Sequence, residues 1–358
     1  MPAPILQIFE RPGIIELSWG HPDLALLPVA AVGRASVAAL DQYGPQAIQY
    51  GHPAGPGPLL EWLAERIGRH EGRAPAIDEI MTTGGISLGL DSLLSCIAVP
   101  GDSVLVESPT YHLAVRIMRD HRLNLVPVPG DQDGLSVDAL VPILSQLKAD
   151  GHPARALYLV PTFNNPTGRS LAPGRRQALV DLAAAEGLLI VEDDVYRELA
   201  YDGPAPASLW SLARPGVVAR LGSFSKSLGP GLRLGWLTAG RELVTRLTDS
   251  GLLDSGGGIN HYTALVVAVL CAAGDYDVNL QNLRHAYRER RDVLVAGLAQ
   301  HLPPTRLSWV YERTVLHCVQ RTDGAILGVF MAKKSTETDP AGLDRMLTEF
   351  QSLLPAAV

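Results

Sequence analysis

The hydrophobic pattern divides the chain in two. Between residues 79 and 239, short apolar runs alternate with stretches whose apolar positions recur every three or four residues. The runs at 79–83, 103–107, 124–128, 156–160, 188–192, 217–221 and 234–239 predict strands. Helices are predicted between them at 86–98, 111–120, 137–149 and 173–186, the last stopped by Gly187. Nearly continuous apolar strands alternating with helices imply a mostly parallel sheet covered on both faces. Beyond residue 241 the pattern turns helical at 241–249, 263–273 and 278–301, then strand-like over 306–331, with a closing helix at 343–354. Before residue 79 it predicts helices at 30–43, closed by Gly44-Pro45, and at 58–70.

This reading gives an α/β fold: a large domain with a mostly parallel seven-stranded sheet, and a smaller α+β domain. The expected boundaries are an N-terminal segment 1–49 joining the small domain, a large domain 50–245 and a C-terminal small domain 246–358. The glycine run Gly256-Gly257-Gly258 reads either as a loop able to approach the substrate closely or as a flexible joint near the domain connection.

Composition narrows the function. A length of 358 residues with 47% hydrophobic and 19% charged residues supplies a sizeable core and argues against disorder. A net charge of −7 leaves no basic footprint, so a nucleic-acid partner is not expected. Cys96, Cys271 and Cys318 have no metal-ligand spacing and read as buried apolar residues in a reducing, cytoplasmic setting. The first residues carry no charged stretch leading into an apolar one, and no apolar run reaches membrane-spanning length, so neither a signal peptide nor a membrane is expected.

The candidate chemistry follows the strands. In open α/β sheets ligands bind beyond the carboxyl ends of the strands. The first turn holds Gly84-Gly85-Ile86-Ser87, whose glycines and helix-opening N–H groups suit an anion. Tyr111 follows the second strand and could stack on a flat ring or be an ordinary half-buried tyrosine. Asn165 follows the fourth, ahead of Pro166-Thr167-Gly168, either as a hydrogen-bond donor or as part of a common Asn-Pro turn. Asp193, Asp194 and Tyr196 follow the fifth. A carboxylate there can keep a pyridine nitrogen protonated; a metal pair is discounted because no third ligand stands at matching spacing. The sixth leads into Ser223-Phe224-Ser225-Lys226, with Arg233 seven residues beyond the lysine. A poorly solvated ammonium loses its proton easily and can then condense with an aldehyde, while two hydroxyls and an arginine suit a phosphate. Together these groups point to pyridoxal 5′-phosphate (PLP) bound to Lys226 as a Schiff base.

The stretches TTGGISLGLD, ESPTY, PTFNNPTG, VEDDVY and SFSKSLGPGLRLGW resemble the class I/II aminotransferases of PLP fold type I. Within them, the chain is similar to the subgroup of aminoadipate and kynurenine aminotransferases and MocR regulators. The resemblance implies an enzyme moving an amino group between an amino acid and a 2-oxoacid, with Lys226 as Schiff-base lysine and proton carrier. It implies that Asp193 pairs with the pyridinium, that Asn165 and Tyr196 bond the ring oxygen, and that Tyr111 stacks on the ring. Gly85, Ile86, Ser87, Ser223, Ser225 and Arg233 would hold the phosphate. Tyr50, in Gln49-Tyr50-Gly51, would reach the phosphate of a neighbouring subunit, which implies a homodimer with shared sites. Gly20 would lie beside the substrate carboxylate. The C-terminal part looks shortened and lacks the family's paired glycines before a tryptophan; Arg321 is the candidate carboxylate clamp. A rebuilt small domain leaves open a PLP enzyme of another type (β-lyase, decarboxylating or cyclising) and a non-catalytic PLP-binding sensor.

Overall fold

A computed structural model describes residues 5–6, 20–301, 307–311, 316–321 and 326–331. The predicted helix at 343–354 lies outside the described residues.

The large sheet is built from β1 (Ile80–Thr83), β2 (Ser103–Ser108), β3 (Asn124–Asp131), β4 (Gly134–Leu135), β5 (Ala154–Leu159), β6 (Leu189–Asp193), β7 (Val218–Ser223) and β8 (Gly235–Thr238). Their order across the sheet is β1-β8-β7-β6-β5-β2-β3-β4. The core pairs β7–β6, β6–β5, β5–β2 and β2–β3 are parallel. The sheet therefore has eight strands where seven are expected. The addition is β4, two residues that fold back antiparallel on β3 and are too short to leave an apolar run. Strand β8 runs antiparallel between β1 and β7.

Two groups of helices cover this sheet: α3 (Ile86–Ile97) packs with α4 (His112–Asp120) and α8 (Arg241–Thr248), while α6 (Pro173–Glu186) packs with α5 (Val137–Ala149) and α7 (Leu209–Leu212). Both groups reach β7, through α3 and α7, and every residue of that strand is buried. This is why the central strands read as nearly continuous apolar runs rather than alternating ones, while β3, next to the edge strand β4, is largely exposed. The sequence sets both ends of α6: Pro173 opens it with a preset φ, and Gly187 closes it in the left-handed conformation.

The remaining elements are α1 (Val29–Tyr43), α2 (Gly57–Glu71), α9 (Gly251–Gly256), α10 (His261–Ala272) and α11 (Asp275–His301), with an antiparallel three-stranded sheet of β9 (Leu307–Tyr311), β10 (Leu316–Arg321) and β11 (Ile326–Met331). Helix α10 packs on α1 and α2. Arg34 pairs with Asp275 at 3.0 Å and Tyr262 donates to the Ser36 carbonyl, so the N-terminal helix is tied to the C-terminal helices. The glycine run is not a free joint. A Cβ on Gly258 would come within 2.3 Å of the His52 carbonyl oxygen, so glycine is there for close backbone packing. Among the described residues no single helix is long and apolar enough to cross a membrane.

Candidate active site

The parallel strands deliver their chemistry to one edge of the sheet, and the lysine loop stands at its centre. Ser223 ends β7; its Oγ accepts from the Ser225 backbone N–H at 3.0 Å, bending the chain toward Lys226. Helix α11 clamps the following turn: Tyr276 donates its hydroxyl to Ser227 Oγ at 2.9 Å, and Asn279 Nδ2 donates to the Ser227 carbonyl at 2.8 Å. Lys226 is half-buried and its Nζ donates to the Gly20 carbonyl at 2.8 Å. Burial, helped by the Arg233 guanidinium and opposed by Asp193, lowers its amine to about 8, so a reactive neutral fraction exists near neutral pH.

Asp193 is fixed more firmly than a strand-end loop residue would be. It is the last ladder residue of β6, paired with Leu221, and is 3% exposed. Its Oδ2 accepts a 2.7 Å hydrogen bond from the Tyr158 hydroxyl, while its Oδ1 is buried without a partner. Burial raises its carboxyl to about 6, against the opposing pull of the Tyr158 hydroxyl. The adjacent Asp194 has another task. It accepts from Arg197 Nε at 2.5 Å and from Arg220 Nε at 2.9 Å in a buried ion-pair network, and these arginines hold its carboxyl down. Among the described residues no group of three or more acidic, His or Cys side chains is placed to hold a metal ion.

The Asn165 side chain and the Tyr196 hydroxyl are hydrogen-bonded to one another, and burial pushes the Tyr196 phenol well up. The loop carrying Asn165 is anchored by its neighbour: Asn164 Nδ2 donates to Glu107 Oε2 at 2.7 Å, and the Val160 N–H donates to the same oxygen at 3.0 Å. Glu107 is raised to about 7 by burial. Tyr111 precedes α4, and burial, with the nearby Asp193 carboxylate, raises its phenol.

At the other end, Gly85 opens α3 with a φ of 82° and no side-chain cap, leaving the first-turn N–H groups of Ile86 and Ser87 for an anion. Arg233 donates to the Gly84 carbonyl at 2.7 Å, and a Cβ on Gly85 would sit 3.0 Å from its Nη2. Arg233 itself is left-handed, with a φ of 48°, and its carbonyl accepts from Asn260 Nδ2. Ser87 and Arg233 are exposed, Ser225 half-buried and Ser223 buried.

The structure thus gathers Lys226, Asp193, Tyr196, Asn165, Tyr111, Ser223, Ser225, Arg233 and the Gly85-Ile86-Ser87 turn, with the Gly20 carbonyl on the lysine. Tyr50 stands apart, 77% exposed beside Gly257. Arg321 closes β10, and its side chain lies outside the described residues. Sequence reasoning missed Tyr158, Glu107, Asn164, Tyr276 and Asn279. The Asn164-Asn165 doublet was the one available signal for them.

PLP fits this arrangement. The orphaned Asp193 Oδ1 suits a protonated ring nitrogen, and the side-chain-free cradle at Gly85 beside an arginine suits a phosphate. Fold and site together define a PLP fold type I enzyme.

The comparisons agree. The family Aminotransferase class I and II matches residues 12–351, and this chain belongs to it. The aromatic-amino-acid aminotransferase 1 of Thermococcus litoralis is 31% identical over 303 residues, 84% of this chain and 72% of that protein. The 2-aminoadipate transaminase of Thermus thermophilus is 32% identical over 305 residues, covering 84% and 73%. The crystal structure of Pyrococcus horikoshii kynurenine aminotransferase superposes with a TM-score of 0.86 at 26% identity, covering 95% of this chain and 90% of that one. The protein is a PLP-dependent transferase of amino groups.

Proposed function

We propose that Lys226 is the amine through which this chain holds PLP and the base that carries the proton during transfer between an α-amino acid and a 2-oxoacid. The observation that carries this is the pairing of a lysine lowered to about 8 with a buried Asp193 oxygen that has no partner. When bound, PLP supplies an electron sink for charge developing at the substrate Cα. Lys226, neutral in part near pH 8, would be the base that takes up and returns the proton at the substrate Cα. Asp193 would hold the ring nitrogen protonated, and the Asn165–Tyr196 pair would bond the ring oxygen. Tyr111 would cover the ring face. Ile86, Ser87, Ser223, Ser225 and Arg233 would bind the phosphate.

The donor is a small-molecule amino acid, and the relatives' names (aromatic amino acids, 2-aminoadipate, kynurenine) favour a side chain that is aromatic or long and acidic. Gly20 lies beside the substrate carboxylate and Arg321 is the candidate clamp for it. Two units are proposed: 50–245 as the large domain and 246–358 with 1–49 as the small one, supported by the ties between α1 and the C-terminal helices. A homodimer with shared sites is supported by exposed Tyr50, Ile48, Val29 and Leu252, and by an Arg233 open to solvent. The free thiols Cys96 and Cys271 suit a reducing, cytoplasmic setting.

The test is borohydride reduction of the PLP-loaded protein followed by peptide mass analysis. The cofactor mass should fall on the peptide containing Lys226, and Lys226→Ala should lose that label together with about 100- to 10,000-fold of the transfer rate. Labelling elsewhere, or an unchanged rate in Lys226→Ala, defeats the reading.

A further inference from the structure

Tyr158 comes from the interior of β5, a strand that no sequence motif marks as functional. Its register partner in β6 is Val191, so in a parallel pair the residue two further on, Asp193, shares its face of the sheet. Tyr158 is 1% exposed, and its hydroxyl lies 2.7 Å from Asp193 Oδ2. A buried tyrosine needs a partner for its hydroxyl, and here the partner is the carboxylate whose second oxygen is vacant.

The groups facing Asp193 come from every neighbouring element. Lys226 approaches from the loop after β7, Tyr111 from the turn before α4, Tyr196 from the turn after β6, and Asp194 and the Val195 N–H from the same chain. Lys226 and the Val195 N–H favour the ionised form; Asp194 and burial oppose it. Among these side chains, Tyr158 is the one that donates a hydrogen bond to the carboxylate. Burial and Asp193 keep the Tyr158 phenol well above its ordinary value, so it stays a donor throughout the working range.

We propose that Tyr158 is a positioning residue for amino-group transfer: by holding Asp193 Oδ2 it keeps the carboxylate ionised and leaves Oδ1 for the ring nitrogen of the cofactor. This rests on the assignment of Asp193 in the proposed function. Its consequence is that the phenol acts at two removes from the substrate, through the acid and then the ring. Removing it costs a charge-assisted hydrogen bond at a buried site, where such bonds count most.

The experiment uses Tyr158→Phe, which keeps the ring and the packing, beside Asp193→Asn. In the cofactor-free protein, infrared titration of the buried carboxyl should place the Asp193 midpoint higher in Tyr158→Phe than in the parent, by about one pH unit or more. In the loaded protein, kcat should fall about tenfold to a hundredfold near pH 6 and recover most of that loss near pH 9, with KM little changed. Replacing Tyr158 with 3-fluorotyrosine, a stronger donor of nearly the same shape, should move the midpoint down and supplies the test should the phenylalanine variant fold poorly. A loss equal at all pH values, or an unmoved carboxyl midpoint, overturns the proposal and leaves Tyr158 as packing. If Asp193→Asn also leaves cofactor affinity and spectrum unchanged, the fault lies in the assignment of Asp193 rather than in Tyr158.

Discussion

The two ends of the site are built by opposite means. At the ring end, Asp193, Tyr158 and Tyr196 are buried at 5% exposure or less and depend on one another. At the phosphate end, backbone N–H groups and a solvent-exposed arginine converge on a glycine turn. A buried carboxylate is expensive to ionise, so the ring end is tuned by exact donors and is sensitive to pH. An anion at a helix N-terminus is met by fixed dipoles, with little charge to desolvate. On the proposed assignment, reactivity would reside at the buried end and affinity at the exposed one.

The harshest way to break that division is Asp193→Asn. Removing a buried charge meant for a cationic ring nitrogen should lower the amino-transfer half-reaction about 100- to 1,000-fold in rapid-mixing kinetics. A loss under tenfold would mean that charge at the ring end is not what matters. Next, Arg233→Met should weaken PLP about tenfold to a hundredfold in a fluorescence titration, while kcat at saturating cofactor changes little. An equal fall in kcat would merge the two ends.

A third measurement concerns stability. Glu107, raised by burial to about 7, is protonated in the folded chain where an unfolded carboxyl has already ionised. Its contribution is fully present below the ordinary carboxylate range and is lost as pH rises through about 7. Chemical denaturation should therefore show Glu107→Gln losing part of the parent's decline in stability between these limits, by about 2 kcal/mol. An unchanged slope would place the sensitivity elsewhere. The mildest is Ser225→Ala, which removes the hydroxyl that Ser223 contacts at 2.9 Å and should cost PLP affinity about threefold to tenfold.

Much of the fold was legible because its signals are local. The seven long strands, and α6 with its proline start and glycine stop, follow from apolar runs and end residues. Two-residue β4 left no run to read, and the direction of β8 has no local signature. The motif-bearing turns were legible for the same reason: Gly84-Gly85, Asn165-Pro166 and the lysine stretch each lie within a few residues. Tyr158 was not. Its partner is 35 residues away, and only the β5–β6 register brings them to one face. Asn164, which anchors, and Asn165, which meets Tyr196, are told apart only by the loop that separates their directions.

Strand β8 carries a last consequence. Gly235 is paired with Ser223 on one side and Thr83 on the other, and a Cβ there would come within 2.5 Å of the Gly222 carbonyl oxygen. The chain from 223 to 235 is thus a closed excursion, leaving and re-entering the lattice of backbone bonds at facing points. Its contour length, with the α11 clamp on Ser227 and the hold of Gly84 and Asn260 on Arg233, sets how far the amine and the guanidinium stand from each other. Gain or loss of one residue inside that excursion would misplace one of the two, however well the rest of the polypeptide folded.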